Sequence, residues 1–519
     1  MQENKEEIQK ELTKVTLILE PHQRPKNVGK WILLSIQHVF AMFGATVLVP
    51  MIMNSLSAGI NGEPVMNVSM ALFCSGVGTL IYIALTAAKV PLYLGSSFAY
   101  MTTIGLGYKD WGNAVFIAVF GVGVLYVLMG FIIYWTGSSW VKKAFSPVVT
   151  GPIIIIIGMS AIKSALQNMG LWNDAKDGWI SNTIQQGQAG YVAYPQWLAI
   201  LLGTITILVA AICVLKAKTF FKAIPILLAL VVGYILAIII HFSFQKAGLS
   251  LLNTSLMSDI QNWEWYPSFK KIWSVKSEQI GPAIVAIVPI AIITMTEHLG
   301  EHVNIGSITN KDYISNPGIH RTLMADGVSI MFAGLVGGPA NATYAENTSV
   351  VNMTRIASVW AIGLAAIFAV AMSFIAPFNQ LINMIPTPVM GGIGVVLFGM
   401  IASNGIKILV EGKVKFSNAK NIFVIAITLA IGVGLGVSGV EIELGRSGFK
   451  FTGLFIATIV GVLLNVLLPK QLNDGIFKIN FIKEFKDNAT QRKLNREKRA
   501  LERKNKIKQK QLKKNRETK

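Results

Sequence analysis

The sequence predicts an all-α membrane protein with fourteen membrane-spanning segments, arranged as two inverted repeats of seven. Three observations predict this class: the composition, the length of the apolar runs, and a similarity between the two halves of the chain. Of the 519 residues, 53% are hydrophobic and only 14% are charged, whereas a soluble domain carries roughly 25% charged residues. The apolar runs are continuous rather than alternating, which favours spanning helices over a membrane β-barrel.

One helical crossing of a membrane needs roughly twenty apolar residues. With this length as a guide, the apolar runs form two sets of seven. The first set lies near residues 31–53, 68–88, 95–107, 113–136, 145–165, 197–217 and 223–243. The second set lies near residues 280–300, 322–337, 342–354, 358–376, 387–403, 420–439 and 449–468. The third run of each set is too short to be an ordinary spanning helix, so the two short runs stand apart from the rest.

One stretch in each half carries the internal similarity. Residues 146–160 (SPVVTGPIIIIIGMS) resemble residues 387–401 (TPVMGGIGVVLFGMI), and Pro147, Gly151, Gly158 and Met159 match Pro388, Gly392, Gly399 and Met400 at one constant offset. Because each half has an odd number of segments, the halves must be inverted. Inverted repeats are typical of transporters whose site lies where two short, broken segments meet. Chance similarity between glycine-rich helices is the alternative.

The charges predict the orientation in the membrane. Loops on the predicted inner side carry Lys and Arg, while outer loops such as 54–67 and 377–386 carry none, which is the bias of a cytoplasmic face. We therefore predict a multi-pass protein of the cell membrane with both termini in the cytoplasm. Its regions are a cytoplasmic lead (1–29), a first repeat (30–243), an extracellular loop with an interfacial helix (244–279), a second repeat (280–469) and a basic cytoplasmic tail (470–519).

The net charge of +20 is concentrated at the end of the chain, since more than half of the excess follows residue 482. We interpret this tail as a segment that orients the protein and contacts anionic lipid, with binding of RNA or of a protein partner as the alternative. No nucleic-acid partner is predicted. Cys74 and Cys213 lie inside apolar runs, so they predict neither a disulfide framework nor a metal site.

Two carboxylates, Glu297 and Glu301, lie one helical turn apart in a largely apolar run, and this spacing places both on one face. An ionisable residue at membrane depth is costly, so it predicts a functional site. His298 and His302 form a second pair, which would suit a metal ion, but no further cluster has ligand spacing. We therefore predict no metal and no cofactor. The alternative for Glu297 is a structural hydrogen bond between helices.

Glu346 is the third acid, and it lies in the polar stretch 339–355 (PANATYAENTSVVNMTR). If a half-helix begins near Glu346, its free N–H groups and positive dipole end point into the site. The alternative is a helix N-cap. Phe98 lies in the partner segment 95–103 (GSSFAYMTT), where a flat heterocycle could stack on its ring, or the ring could belong to the core.

These residue types suit a flat imide such as uracil, because its ring N–H groups donate to carboxylates and its carbonyls accept from backbone N–H groups. A carboxylate in a low-dielectric environment also binds a proton more readily, so one site could couple the proton to the substrate. No nucleophile and base are paired in the sequence, so we predict that the chain is not an enzyme. The predicted partners are uracil or a related nucleobase, protons and the lipid bilayer.

Several motifs together resemble one known family. They are QHVFAMFGATVLVP (37–50), YLGSSFAY (93–100), TEHLGEH (296–302), PANATYAEN (339–347), TR (354–355) and IPTPVMGG (385–392). From about Lys30 to Pro469, the chain resembles the nucleobase/ascorbate transporter family, most closely its bacterial members that carry uracil. The resemblance implies uracil–proton symport and a homodimer. It also implies short strands in segments 3 and 10, a core domain (segments 1–4 and 8–11) and a gate domain (segments 5–7 and 12–14).

The resemblance also implies roles for individual residues. Glu297 and Glu346 would hold the base through their side chains, and Phe98 and Ala345 would contribute ring and backbone contacts. Glu301 would take the proton-coupling position, together with Glu297. The supporting residues would be Gln37, His38, Thr343 and Asn347.

Three positions depart from the family pattern. Glu301 is an acid where the uracil-carrying members often have His, Ala345 stands where Gly is usual, and Ser349 stands where the motif has Gly. These departures leave xanthine or another purine as the alternative substrate. An anion exchanger or channel of the same inverted-repeat design is the alternative mechanism. The predicted site has three carboxylates and no Lys or Arg, which argues against an anion.

Overall fold

The computed structural model describes residues 17–57, 64–137, 146–172, 178–181, 191–217, 224–245, 248–254, 265–270, 275–438, 442–444, 449–451 and 453–468. Three predictions concern other parts of the chain. The start of the charged lead (1–16), the basic tail (470–519) and residues 246–247, 255–264 and 271–274 of the loop predicted to hold an interfacial helix lie outside the described residues. The elements that position the candidate site all belong to one unit, Met1–Asn465.

The first half of the chain forms long helices and three short strands. Its elements are α1 (Val28–Ser57), α2 (Val68–Leu85), β1 (Leu94–Ser96), α3 (Met101–Trp111), α4 (Ala114–Thr136), α5 (Pro147–Asn168), β2 (Trp179–Ser181), β3 (Ala193–Pro195), α6 (Gln196–Lys216) and α7 (Pro225–Phe244). A proline opens both α5 and α7. Proline suits this position because the first N–H groups of a helix have no partner inside it.

The second half begins with a long, interrupted helix. Its elements are α8 (Ser277–Ile287), α9 (Ala291–Thr309), α10 (Ile319–Val336), β4 (Asn341–Thr343), α11 (Ala345–Thr354), α12 (Val359–Met372), α13 (Ala376–Asn383), α14 (Thr387–Glu411), α15 (Ala419–Ser438), β5 (Ile442–Leu444), β6 (Phe449–Phe451) and α16 (Gly453–Leu467). A 3-10 turn, Val288–Ile290, separates α8 from α9. Pro289 explains this break, since it has no N–H to continue the helical ladder.

The described helices show that the protein is mainly helical and membrane-spanning. Ten helical spans are long and apolar enough to cross a membrane, and an eleventh results if the bent pair Val359–Ser373 and Ala376–Asn383 is one span. The shorter elements α3, α11 and α16 account for the other predicted segments, and the exact number of fourteen stays a prediction. Two boundaries were wrong: the predicted segment 280–300 ends nine residues too early, because α9 continues to Thr309, and the predicted segment 387–403 ends eight residues too early, because α14 continues to Glu411.

The two stretches of internal similarity pack directly against each other, as helices α5 and α14. Close backbone contact is possible because small residues lie at the crossing. A side-chain carbon on Gly158 would lie 2.5 Å from the carbonyl oxygen of Phe398, and one on Gly405 would meet the carbonyl oxygen of Gly151 at the same distance. Without a hydrophobic force between helices in lipid, such close packing is a main source of their association.

The short strands β1 and β4 pair in antiparallel fashion in the interior of the protein. The register pairs Leu94 with Thr343 and Ser96 with Asn341. The backbone of Leu94 is also bound from the side by helix α2, because its N–H donates to the Thr79 hydroxyl at 2.9 Å and its carbonyl accepts from Ser75 at 2.9 Å. Non-helical backbone is tolerated at membrane depth only where protein or water satisfies it, and this pairing does so.

Candidate functional site

Helix α9 contacts both of the short, broken segments, the one that begins with β1 and the one that begins with β4 and continues as α11, and thereby connects them. Near its start, the Thr294 hydroxyl contacts the hydroxyl groups of Tyr100, at 2.8 Å, and Tyr126, at 2.7 Å. Tyr100 belongs to the 3-10 turn Phe98–Tyr100 that follows β1. Two turns further along α9, Glu301 lies near Thr348 of α11. With a rise of 1.5 Å per helical residue, these two contacts are about 10 Å apart along the axis.

The three predicted acids belong to one electrostatic group. Glu297 lies on α9 between Thr294 and Glu301, and the charge of Glu301 acts on it. The charge of Glu346, in the first turn of α11, acts on Glu301. All three side chains are half-buried. The arrangement therefore brings carboxylates from α9 and α11 close enough for their charges to act on one another.

The start of α11 combines a carboxylate with unpaired backbone donors. The first backbone hydrogen bond along the helix runs from the Thr348 N–H to the Tyr344 carbonyl, at 3.3 Å. Earlier N–H groups therefore have no partner within the helix. The Glu346 carboxylate accepts from its own N–H, while the N-cap residue of the helix is Tyr344. Ala345, the first helical residue, is half-buried.

Phe98 has one face in the core and is otherwise accessible. Its ring meets the Phe398 ring of α14 edge to face, with the ring centroids 6.0 Å apart and the planes at 83°. Phe398 is buried, whereas Phe98 is half-buried. Both interpretations made from the sequence, a stacking platform and a core residue, therefore remain compatible with its position.

The four supporting residues divide into two groups. Asn347 and His38 contact each other: the Asn347 amide donates to the His38 carbonyl at 3.0 Å and lies 3.2 Å from its Nδ1 atom. Since both residues are buried, this contact ties α11 to α1. By contrast, the Oε1 atom of Gln37 and the hydroxyl of Thr343 are buried without a hydrogen-bond partner, so they could serve a ligand.

The two histidines of α9 point away from the acids and into the helix bundle. His298 contacts Asp326 at 2.9 Å and the Thr322 hydroxyl at 3.0 Å, both on α10. His302 contacts the Tyr82 hydroxyl at 2.6 Å. Each ring thus has a structural partner. Within the described ranges, no three residues of the His, Cys, Asp and Glu types come together in a way that could hold a metal ion.

Sequence reasoning missed several residues around the acids. Asp326 of α10 is completely buried and contacts His298 of α9. The Tyr344 hydroxyl donates to the Ser96 carbonyl at 3.0 Å, while its ring covers Gly95. The one signal for this contact in the sequence is Gly95, since any larger residue there would collide with the Tyr344 ring.

One basic residue also comes closer to the acids than expected. The charge of Lys407 on α14 acts on Glu301, although its own ion pair is with Glu411, at 3.6 Å. The side chain of Lys407 is 57% exposed, so solvent screens its effect. The prediction that the site itself holds no Lys or Arg stays a prediction.

Comparisons with known proteins agree on the family. A sequence model of the permease family matches residues 29–440, which is most of the chain. A uracil permease of Bacillus caldolyticus is 35% identical over 468 residues, covering 89% of this chain and 98% of the relative. A uracil permease of Bacillus subtilis is 34% identical, with 85% and 93% covered, and one of Escherichia coli K12 is 33% identical, with the same coverage. These relatives are named as permeases and not as enzymes.

Solved structures share the fold at low sequence identity. The transmembrane domain of the cyanobacterial bicarbonate transporter BicA aligns with a TM-score of 0.51 and 14% identity, covering 86% of this chain and 99% of that one. The murine Solute Carrier 26 family member A9 anion transporter, in its inward-facing state, aligns with a TM-score of 0.58 and 12% identity, covering 86% and 69%. At these identities, the likeness concerns the fold alone.

Proposed function

Because the chain belongs to the permease family of nucleobase/ascorbate transporters, we propose that it imports uracil by proton symport across the cytoplasmic membrane. The observation that carries the proposal is the packing of α9, which bears Glu297 and Glu301, against α11, since it brings these acids to the helix that begins with Ala345 and Glu346. Relatives named uracil permeases, at 33–35% identity over most of the chain, support the choice of substrate.

The chemistry of this junction is complementary to an imide. Glu297 and Glu346 supply carboxylate oxygens for the ring N–H groups of the base, and hydrogen bonds to a charged partner are the stronger kind. The N–H groups at the start of α11, around Ala345, supply donors for the carbonyls. Phe98, half-buried beside the strand pair, provides an aromatic surface for a flat ring.

The proposal assigns the coupled proton to the acid pair of α9. Glu297 and Glu301 are one turn apart and repel each other when both are ionised. A proton on one of them removes that repulsion. Glu301 takes the coupling position because it also contacts Asn304 of its own helix and Thr348 of α11. Binding of the proton and arrangement of the substrate-binding helix would thus depend on one side chain.

The proposed architecture has fourteen crossings in two inverted repeats, with a core domain of segments 1–4 and 8–11 and a gate domain of the rest. The packing of α5 on α14 and the pairing of β1 with β4 support it, because each joins corresponding parts of the two halves. The proposed regions are those of the sequence analysis, with both termini in the cytoplasm. A homodimer is part of the same proposal.

A second substrate, xanthine or another purine, is favoured by one observation. Glu301 is an acid at a position where the uracil-carrying members often have His, and purine-carrying relatives have an acid. A competition experiment separates the two substrates. Cells that lack their own uracil permease and express this protein should accumulate labelled uracil, and unlabelled uracil should compete better than xanthine, adenine or guanine. Stronger competition by xanthine would overturn the choice of uracil.

The proton is tested in the same cells. A protonophore should abolish accumulation, while equilibration of uracil across the membrane continues. Uptake that is unaffected by the protonophore but lost when sodium is replaced would overturn proton symport and leave the permease activity standing.

A further inference from the structure

Residues 17–27, which precede α1, form an extended segment that lies along the chain between α11 and α12. We call this segment the strap. Leu19 and Ile356 form an isolated bridge of parallel strand type. The hydrogen bonds of the strap with this part of the chain are Ile18 N–H to Arg355 O (2.8 Å), Ala357 N–H to Leu19 O (2.9 Å), Val359 N–H to Pro21 O (3.0 Å), Ser358 hydroxyl to Gln23 O (2.7 Å) and Trp360 indole N–H to His22 O (3.2 Å).

Two side chains of the strap make further contacts. Glu20 forms an ion pair with Lys311, at 2.6 Å, and both side chains are more than one-third exposed. Leu17 packs against a cluster of buried residues that come from α2, β1, α9, α10, α11 and the segments that connect them. The cluster contains Tyr82, Val90, Leu92, Leu94, Ile305, Ile308, Tyr313, Ala325, Val351 and Ala357.

The segments that the strap holds are the ones that follow the acid-bearing helices. Residues 355–358 connect the end of α11 to α12, so the strap fixes the end of the helix that begins with Ala345 and Glu346. Lys311 lies just after α9, which ends at Thr309 and carries Glu297. The strap therefore contacts the chain immediately beyond both helices of the candidate site.

Helix α11 needs such support because it is short and polar. It has ten residues, AENTSVVNMT, and isolated helices shorter than about 12–15 residues are marginal in water. The helix is about 15 Å long. If it moves as a rigid rod, a displacement of its Thr354 end also displaces its Glu346 end. Asn347 holds the beginning of α11 through His38, and the strap holds its end.

We propose that the strap is a positioning element, which sets α11 relative to α9 and thereby keeps the acids of the two helices in the arrangement that binds substrate. This inference rests on the proposed function only in its second part, the effect on uracil. Its first part, that the strap orders α11, concerns the fold. Ion pairing contributes little, since an exposed pair is worth only a small amount. The backbone hydrogen bonds and the contact of Leu17 carry the effect.

One residue of the strap offers a matched pair of variants. The side chain of Ile18 is 69% exposed, whereas its N–H donates to Arg355. Ile18→Pro removes the donor, because proline has no N–H, and Ile18→Ala keeps it. Both are made in the full-length protein. Hydrogen exchange measured by mass spectrometry should show at least about threefold faster exchange in peptides from Ala345–Thr354 for the proline variant alone. Peptides from Ala419–Ser438 should be unchanged and serve as the internal control.

Transport kinetics test the second part. For Ile18→Pro, the KM for uracil should rise about fivefold, which is the effect of about one lost hydrogen bond, while the maximal rate per molecule stays within about twofold. Ile18→Ala should match the unmutated protein. Unchanged exchange in α11 would overturn the strap as a positioning element. Faster exchange with an unchanged KM would restrict it to the fold and overturn its role at the site.

A second variant covers the case in which Ile18→Pro does not reach the membrane. Leu17→Ala keeps every backbone hydrogen bond of the strap but removes most of the contact with the buried cluster. It should produce the same two changes, faster exchange in α11 and a higher KM. If the unmutated protein fails to take up uracil at all, the proposed function is wrong, and the exchange measurement still decides whether the strap orders α11.

Discussion

Glu297→Gln tests the candidate site most directly, because it removes one negative charge and hardly changes the size of the side chain. Glu297 is half-buried on α9, and a hydrogen bond from a substrate N–H to a charged acceptor is worth about 1.5–3 kcal/mol. Since about 1.4 kcal/mol corresponds to a tenfold change in affinity, the amide should weaken uracil binding about 10- to 150-fold. The variant should also fail to accumulate uracil, because one carboxylate of the acid pair is gone.

The same variant should remain at least as stable as the unmutated protein. Side chains one helical turn apart have Cβ atoms about 5–6 Å apart, and two unit charges at about 6 Å repel by about 3 kcal/mol at an effective dielectric constant of about 20. Neutralising Glu297 removes this repulsion from Glu301 whenever both would be ionised. A thermal midpoint equal to or above that of the unmutated protein would therefore separate loss of function from loss of fold.

The assay is uptake of labelled uracil by cells that lack their own uracil permease, combined with binding of uracil to the purified protein. Glu278→Gln is the matched control, since Glu278 is an exposed carboxylate in the first turn of α8. The control should change neither uptake nor affinity. Normal accumulation by Glu297→Gln at an equal level of protein in the membrane would refute the assignment of this acid to the site.

Two further variants test the elements around the acids. Gly95→Ala would place a carbon atom against the Tyr344 ring, and we expect a loss of about 1–3 kcal/mol in unfolding free energy together with reduced uptake. Gly399→Ala is the matched control, because an added carbon there would have no atom within 4 Å. It should lower neither the unfolding free energy nor the uptake. Asn347→Ala removes the donor to the His38 carbonyl and should lower the unfolding free energy by about 1–3 kcal/mol. Denaturant titration in detergent measures this change. An unchanged unfolding free energy would show that the contact between α11 and α1 is dispensable.

The sequence alone predicted most helices within a few residues, because the length of an apolar run is set by the thickness of the bilayer. It failed where polar residues continue a helix beyond the apolar run. The end of α9 was placed at residue 300, although Glu301 and His302 continue the helix to Thr309. His302 is buried against Tyr82, so tertiary contacts satisfy a residue that the hydropathy pattern treats as the end of a span.

The three acids were recognisable from the sequence because a charged side chain inside a membrane is energetically costly. A carboxylate at membrane depth is rare, so each one indicates a site, and their roles at the site stay predictions. The contacts that arrange them were not recognisable. His38 and Asn347 are 309 positions apart, and the strap pairs with residues more than 330 positions away. The strap contacts leave no pattern because a backbone hydrogen bond needs no special residue type, and the contact of the Asn347 side chain with His38 joins residues too far apart for any local pattern.

The fold alone would have allowed a different substrate, since anion transporters share it at TM-scores of 0.51 and 0.58. The difference must lie in the charges that the broken segments present. An anion needs positive charge or free N–H donors at the helix start. Here Glu346 occupies the start of α11, and its carboxylate takes up its own N–H. With Glu297 and Glu301 on the adjacent helix α9, an anion would meet three acids. Among the described residues, Lys407 is a basic side chain whose charge acts on Glu301, and it is mostly exposed and paired with Glu411. A neutral ring with N–H donors meets the same three acids as acceptors. If the proposed site is correct, the three acids would therefore favour a neutral, hydrogen-bonding guest over an anion within a fold that anion transporters share.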